Sequence, residues 1–175
     1  MDKVFIRPDE LLRDSFALAR RIYDSGYRPD VILVLWRGGT PVGIVVHEYL
    51  LFKGVNTDHS VVKAESYDGM EARSEPRVES LEAVLGRLDS ESRVLVVDDI
   101  FDSGRTLQAV RDALRTRTAH IRIATLYLRI GHNRTDLHPD FCLRESDRWV
   151  VFPHELMGLT PEEIARKHPP LADIL

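Results

Sequence analysis

Three aspartates and two hydroxyl residues lie close together in the middle of the chain, in the segment Asp98-Asp99-Ile100-Phe101-Asp102-Ser103-Gly104-Arg105-Thr106. Ionised carboxylates such as Asp98 and Asp99 accept hydrogen bonds from neighbouring hydroxyl groups, as a ribose presents them. A carboxylate beside a bound phosphate is repelled by it, so phosphate binding does not explain Asp102. Proton transfer to or from a base is a better explanation for this residue. The segment therefore has the residue types to hold a phosphorylated sugar and to move a proton.

The flanking residues predict the elements that would position these side chains. The apolar run Val94-Leu95-Val96-Val97 is typical of a strand buried on both faces of a parallel sheet. After Thr106, apolar residues recur at spacings of three and four, which predicts a helix over 104–117. We therefore expect a strand that ends in two acidic residues, a short polar loop, and then the first turn of a helix.

The loop before this helix suits an anion. The first turn of a helix has N–H groups without partners and carries the positive end of the helix dipole. The hydroxyls of Ser103 and Thr106 add donors, and Gly104 lets the backbone approach a ligand closely. The same residues also fit simpler explanations, because Asp or Ser before a helix is commonly an N-cap. Two carboxylates at the end of a strand could also bind Mg²⁺ in a phosphatase or response-regulator fold.

As a whole, the segment resembles the 5-phosphoribosyl-1-pyrophosphate (PRPP) binding motif of the type I phosphoribosyltransferases. In that motif an apolar strand precedes two acidic residues, two further residues and Asp-(Ser/Thr)-Gly-x-Thr, a pattern that residues 98–106 match in full. The resemblance implies that Asp98 and Asp99 hold the ribose hydroxyls, directly or through a metal. It also implies that Asp102 handles the purine N7 proton and that Ser103, Gly104, Arg105 and Thr106 clamp the 5′-phosphate.

A second strand-loop-helix unit precedes this one. The apolar run Val31–Trp36 predicts a buried strand, and a helix is expected over 42–52. Between them, Arg37-Gly38-Gly39 could be only a tight turn. It also resembles the pyrophosphate-binding loop of purine phosphoribosyltransferases, which implies that Arg37, Gly38 and Gly39 bind pyrophosphate and that the Trp36–Arg37 peptide is cis.

The polar stretch 53–77 carries a predicted short strand at 60–64, and a solvated loop would account for the remainder. Purine enzymes of the family carry a Ser-Tyr pair in a loop that closes over PRPP, and Ser66-Tyr67 matches that pair. Exclusion of water would protect a cationic sugar intermediate from hydrolysis. A short helix is expected over 80–88.

Two later segments resemble the family's base-binding parts. A strand predicted over 121–128 is followed by Arg129. Related enzymes have a lysine at this position, which binds the purine 6-oxo group, so the resemblance implies that Arg129 donates to that group instead. The alternative is that Arg129 is a solvated surface residue. The pattern Trp-Val-Val-Phe-Pro-x-Glu at 149–155 resembles the segment that binds the base. By that resemblance Trp149 stacks on the purine, the Val150 backbone meets its edge, and Glu155 reaches a metal-bound water. A further short helix is expected after Thr160.

Composition restricts the possible classes of function. The chain has 175 residues, 43% of them hydrophobic, and a net charge of −4, which argues against a general nucleic-acid binder. A single cysteine, Cys142, excludes an internal disulfide framework, and the seven histidines show no metal-ligand spacing. Without a signal peptide or a membrane-length apolar run, a cytoplasmic location with no membrane partner is expected.

These inferences combine into one expectation. The fold should be α/β, a mainly parallel central sheet flanked by helices, as one domain over 1–175 with a small hood from the N-terminal residues and 129–155. By resemblance, the chain is a Mg²⁺-dependent 6-oxopurine phosphoribosyltransferase acting in purine salvage, with PRPP and hypoxanthine, guanine or xanthine as substrates and a dimeric or tetrameric assembly. Two alternatives remain: the same chemistry on adenine, orotate or uracil, and a non-catalytic PRPP-binding regulator.

Overall fold

The computed structural model describes residues 2–65, 77–79 and 81–167, so the predicted Ser66–Tyr67 loop lies outside the described residues. Within these ranges the helices are α1 (Pro8–Asp24), α2 (Gly39–Phe52), α3 (Glu82–Leu85), α4 (Arg105–Leu114) and α5 (Pro161–Lys167). The strands are β1 (Lys3–Phe5), β2 (Val31–Trp36), β3 (Asp58–Glu65), β4 (Arg77–Glu79), β5 (Val94–Phe101), β6 (Ile121–Arg129), β7 (Phe141–Ser146) and β8 (Trp149–Val151). No helix in the described part of the chain is long and apolar enough to cross a membrane.

The central sheet has six strands in the order β4-β3-β2-β5-β6-β7. All neighbouring strands run parallel except β3 and β4, which are antiparallel. Strands β2 and β5 occupy the middle, where both of their faces are covered, and this explains their continuous apolar sequences. The expected α/β class with a mainly parallel sheet is therefore confirmed.

Alternate residues of the central strands contribute to two separate cores. On one face, α1 and α2 cover a layer that includes Ile32, Val34, Leu95 and Val97. On the other face, α4 covers Leu33, Leu35, Val94, Val96 and Ile123 with its residues Leu107, Val110 and Leu114. Because full burial of each such side chain contributes about 1.5–3 kcal/mol, the two layers hold β2 and β5 firmly side by side.

A second, two-stranded sheet joins residues from near the two ends of the described chain. Strand β1 pairs in parallel with β8, with Lys3 opposite Trp149 and Val4 opposite Val150. Val150 and Phe152 belong to the core cluster beneath α1, so this small sheet is attached to the main body. It takes one short strand from each of the two regions assigned to the hood, whereas Phe141–Ser146 of the second region belongs to the central sheet.

Several boundaries differ from the sequence-based expectation. Helix α2 begins at Gly39 rather than near Val42, and α3 covers only Glu82–Leu85 of the helix expected over 80–88. Strands β1, β4 and β7 were not predicted. Strand β5 continues past its apolar run to Phe101, so the two adjacent aspartates lie within the strand rather than beyond its end.

Candidate active site

The site forms where β2 and β5 separate. Their pairing ends at Val34 opposite Val97, whereas β5 continues along β6 as far as Phe101. The divergence opens a gap at the carboxyl end of the sheet, and the loop that follows β2 occupies it. This arrangement brings the glycine pair into contact with the two aspartates of β5.

Both glycines are required by the closeness of this contact. A Cβ at Gly38 would overlap the carboxylate of Asp99, and a Cβ at Gly39 would lie 2.6 Å from the backbone oxygen of Val97. The peptide between Trp36 and Arg37 is cis, as the resemblance predicts. The loop therefore packs its backbone directly against the acidic pair.

Burial makes the acidic pair easy to protonate. The Asp98 Oδ1 atom accepts a hydrogen bond from the Asp99 backbone N–H at 3.0 Å. Burial, reinforced by the neighbouring Asp99 charge, raises the pKa of Asp98. Burial also raises the pKa of Asp99 to about 7, and the charge of Glu155 acts in the same direction. A ligand that supplies a cation or hydroxyl donors would offset the cost of burying these two carboxylates.

A cavity of about 930 Å³ opens above the pair. Its polar lining includes Arg37, Gly38, Asp98, Asp99, Thr106 and Glu155. Apolar walls come from Trp36, Ile44 and Met157, among others. A smaller hollow of about 300 Å³ beside Arg111 and Asp136 is lined by none of the predicted site residues. The larger cavity therefore joins residues that the sequence assigned to pyrophosphate, ribose, phosphate and metal binding.

The loop from Asp102 to Thr106 leads into α4, as predicted. Gly104 has a φ of 79°, in the left-handed region, and a Cβ there would lie 2.6 Å from both Phe101 Cζ and Thr135 Oγ1. A side chain at this position would be strained and crowded at once. The loop thus presents the first turn of α4 at the edge of the cavity, which Thr106 reaches.

Asp102 lies in a second cluster with two basic side chains, Arg129 at the end of β6 and His132 in the turn that follows. The Arg129 Nη1 atom lies 3.4 Å from each Asp102 carboxylate oxygen. The His132 Nδ1 atom lies 3.6 Å from Asp102 Oδ1. Arg129 is only 5% exposed, so the alternative of a solvated surface arginine is wrong. Its guanidinium carbon lies 4.8 Å from the centroid of the Trp149 ring, within the range of a cation–π contact.

The structure places the sequence-predicted residues in two groups. Arg37, Gly38, Asp98, Asp99, Thr106 and Glu155 line the cavity, whereas Asp102, Arg129 and Trp149 form the neighbouring cluster. Val150 is buried beside Trp149, and its side chain faces the core. Among the described residues, no three His, Cys, Asp or Glu side chains lie close enough to hold a metal by themselves.

Sequence reasoning missed two histidines. The His154 Nε2 atom lies 3.8 Å from Asp99 Oδ2, and the ring stacks on Phe152 with a centroid separation of 5.8 Å. Burial lowers the pKa of His154. His132 touches Asp102 only because β5 and β6 are adjacent, and no local pattern signals that contact. For His154, the only sequence signal was its place in the run Pro153-His154-Glu155, next to the predicted site residue Glu155.

Comparisons with known proteins agree with this geometry. The family model described as the phosphoribosyl transferase domain matches residues 8–157. A xanthine-guanine phosphoribosyltransferase of Ruegeria sp. (strain TM1040) is 30% identical over 160 residues, covering 85% of this chain and 82% of the relative. The crystal structure of a purine phosphoribosyltransferase from Pyrococcus horikoshii is 27% identical, with a TM-score of 0.72 over 91% of this chain and 98% of that one. A Neisseria gonorrhoeae protein crystallised with bound ppGpp shares the fold at 21% identity and a TM-score of 0.75, covering 99% of this chain and 97% of that one.

Proposed function

The chain belongs to the phosphoribosyltransferase family, and on that premise we propose that it is a 6-oxopurine phosphoribosyltransferase. It would transfer the 5-phosphoribosyl group of PRPP to N9 of hypoxanthine, guanine or xanthine and release pyrophosphate. The observation that carries this proposal is the contact between the Gly38–Gly39 loop and the buried Asp98–Asp99 pair inside one cavity. Pyrophosphate and ribose are neighbouring parts of PRPP, and these two groups of residues have matching chemistry.

In this proposal, residues in the cavity or next to it would contact each part of PRPP. The guanidinium of Arg37 and the backbone at Gly38 and Gly39 would bind pyrophosphate, while Asp98 and Asp99 would accept hydrogen bonds from the ribose hydroxyls. The loop from Ser103 to Thr106, with the first turn of α4, would hold the 5′-phosphate. Most of the acceleration would come from fixed charges placed around a sugar that becomes cationic.

Mg²⁺ fits this site as a partner of the substrate. The pKa values of Asp98 and Asp99 are raised by burial, so a cation nearby would favour their ionised forms. No protein cage is present among the described residues, and Mg²⁺ commonly combines one or two carboxylates with substrate phosphates and waters. Asp98, Asp99 and, through water, Glu155 would hold it, and its charge would make pyrophosphate a better leaving group.

The second cluster would bind the base. Trp149 is 40% exposed and would stack on the purine, an interaction worth about 1–3 kcal/mol for aromatic side chains and bases. Arg129 would donate to the 6-oxo group, and the Val150 backbone would meet the edge of the base. Asp102 would accept the N7 proton as N9 forms its bond to the sugar. We assign the reaction to purine salvage in the cytoplasm, carried out by a dimer or tetramer.

A panel of bases tests the proposal. Hypoxanthine, guanine, xanthine, adenine, orotate and uracil are each mixed with the protein, PRPP and Mg²⁺, and pyrophosphate release is measured. Turnover of at least one 6-oxopurine, abolished by EDTA and restored by added Mg²⁺, is expected. Turnover of only adenine, orotate or uracil would contradict the 6-oxopurine specificity and assign the enzyme to that base. PRPP binding without any turnover would indicate a regulator.

A further inference from the structure

A tight turn after β6 carries a histidine to the proposed proton acceptor. Strand β6 ends at Arg129, Gly131 follows with a φ of 75°, and the His132 N–H points back to the Arg129 carbonyl at 3.4 Å. The left-handed glycine reverses the chain within a few residues. Both Arg129 and His132 consequently reach the carboxylate of Asp102, from opposite ends of one turn.

The turn is held in place from several sides. The Ile130 N–H donates to the Ser146 carbonyl at 2.9 Å, which ties the turn to β7. The Arg134 N–H donates to the Ser103 carbonyl, also at 2.9 Å, which ties it to the proposed phosphate loop. Next to it, the Asn133 side chain bonds the Leu137 carbonyl and the Thr135 N–H. His132 is therefore carried by an ordered turn next to the loop that contains Asp102.

The two basic neighbours of Asp102 have different chemistry. Arg129 is 5% exposed, and a guanidinium has hydrogen-bond donors but no acceptor, so it can orient the carboxylate but cannot take a proton from it. The His132 side chain is 41% exposed, and an imidazole ring has one nitrogen that can accept a proton and another that can release one. A base lying against Asp102 would cover the 42% of that side chain which solvent now reaches. His132 would then remain as the link between Asp102 and water.

We propose that His132 is a positioning residue that relays the purine proton from Asp102 to solvent, an inference that rests on the proposed function. The N9–C1′ bond forms as the bond from C1′ to the pyrophosphate oxygen breaks. The N7–H bond breaks and an O–H bond forms on Asp102. That proton then passes to His132 Nδ1, and the resulting imidazolium gives a proton to water. The products are the nucleotide, pyrophosphate and one released proton.

The surroundings of His132 are simple enough for a clean test. Within ion-pair distance in the described structure, its charged partner is Asp102 from the loop after β5. Arg129 of β6 shares that carboxylate and is itself stacked against Trp149 of β8. His138 lies exposed in the same connection between β6 and β7 and is the matched control.

The experiment compares His132→Ala with His138→Ala in steady-state assays with PRPP and the best 6-oxopurine. For His132→Ala, kcat should fall about tenfold or more, less than the hundredfold typical of losing a direct general base, because water can partly replace the relay. The KM for PRPP should change less than about twofold. Added imidazole should restore kcat in proportion to its neutral form, but it should not accelerate the Asp102→Asn variant, which lacks the first acceptor. His138→Ala should match the wild type.

Unchanged kcat, or a loss that imidazole does not restore in a folded variant, would overturn the relay while leaving the proposed function standing. A wild type that releases no pyrophosphate with any purine would overturn both. If His132→Ala does not fold, His132→Gln decides the question, because its amide can lie beside Asp102 but cannot accept a proton and pass it on. A tenfold or larger loss of kcat in this variant supports the relay, and wild-type kcat contradicts it.

Discussion

At the scale of single residues, the site is a set of carboxyls in contrasting surroundings. Burial and the nearby Glu155 charge raise the pKa of Asp99, whereas Asp102 is partly exposed between two basic side chains. An easily protonated Asp99 needs a ligand to fix its ionised form, while Asp102 is placed to exchange a proton with a base. Asp99 and Asp102 therefore have different proposed roles although they lie in the same short segment.

Replacing Asp102 by Asn tests its proton role. The amide keeps the shape and the possible contact with Arg129, but it cannot take a proton from N7. Turnover should fall about 10²–10⁴-fold, the usual range for a general base, while the PRPP dissociation constant changes little. Initial rates and calorimetric PRPP titration measure the two quantities. A variant with wild-type turnover would remove Asp102 from the chemistry.

The acidic pair should also give the ligand-free protein a recognisable dependence of stability on pH. The pKa of Asp99 is about 7 in the folded state, against 3.8 for an ordinary aspartate, so the folded state binds more protons between these limits. The free energy of unfolding should therefore decrease as the pH rises from about 4 to about 7. Urea unfolding at pH 5 and pH 7.5 measures the change. Asp99→Asn should reduce the slope of unfolding free energy against pH. Glu48→Gln, on the exposed face of α2, is the control and should leave that slope unchanged. Equal slopes for all three proteins would contradict the raised pKa of Asp99.

At the scale of elements, the separation of β2 from β5 creates the site. The two strands are bonded up to Val34 and Val97, and beyond this point the glycine loop takes the place of further pairing. A Cβ at Gly39 would meet backbone atoms of Val97 and Asp98, which cannot move aside as a flexible side chain can, and a Cβ at Gly38 would overlap the buried carboxylate of Asp99. The proposed PRPP cavity thus depends on two residues that contribute no side chain.

Gly39→Ala tests this dependence. The added Cβ would lie 2.6 Å from the Val97 oxygen and 3.0 Å from the Asp98 Cα, so the loop or the strand must move. Overpacking of this kind commonly costs about 1–3 kcal/mol, and PRPP affinity should fall at least about tenfold. Thermal unfolding and PRPP titration give both values. At Gly86 the nearest atom to an added Cβ is 3.5 Å away, so Gly86→Ala should behave as the wild type.

An ion pair between the buried Asp14 and the half-exposed Arg144 connects α1 to the edge strand β7. The Arg144 Nε and Nη2 atoms donate to Asp14 at 2.6 and 3.0 Å, and this bonding with Arg144 helps to lower the pKa of Asp14 despite its burial. Asp14→Ala should therefore destabilise the fold by about 1.5–3 kcal/mol, the usual value for hydrogen bonds to charged groups. Denaturant midpoints measure it. Asp24→Asn, which breaks the exposed pair with Arg20, should lower the free energy of unfolding by less than about 1 kcal/mol. Equal losses for the two variants would mean that the burial of Asp14 does not strengthen its ion pair.

At the scale of the whole molecule, the parts that could be predicted from the sequence were those with strong local signals. The apolar runs of β2 and β5 and the Asp98–Thr106 segment gave the class of fold and the centre of the site. Edge strand β7, Phe-Cys-Leu-Arg-Glu-Ser, lacks regular alternation, and only its pairing with β6 makes it a strand. Burial of Arg129 and the approach of His132 to Asp102 likewise depend on strand neighbours distant in sequence, which no local pattern encodes.

The parallel pairing of β1 with β8 has a consequence for biosynthesis. Lys3–Phe5 leaves the ribosome early, yet its hydrogen-bonding partner Trp149–Val151 is translated only after the whole central sheet. The early strand must remain unpaired throughout that interval, while α1 and β2 can already begin to pack. Chains that end before residue 149 should therefore leave Lys3–Phe5 open to proteolysis, and chains that extend beyond residue 151 should protect it.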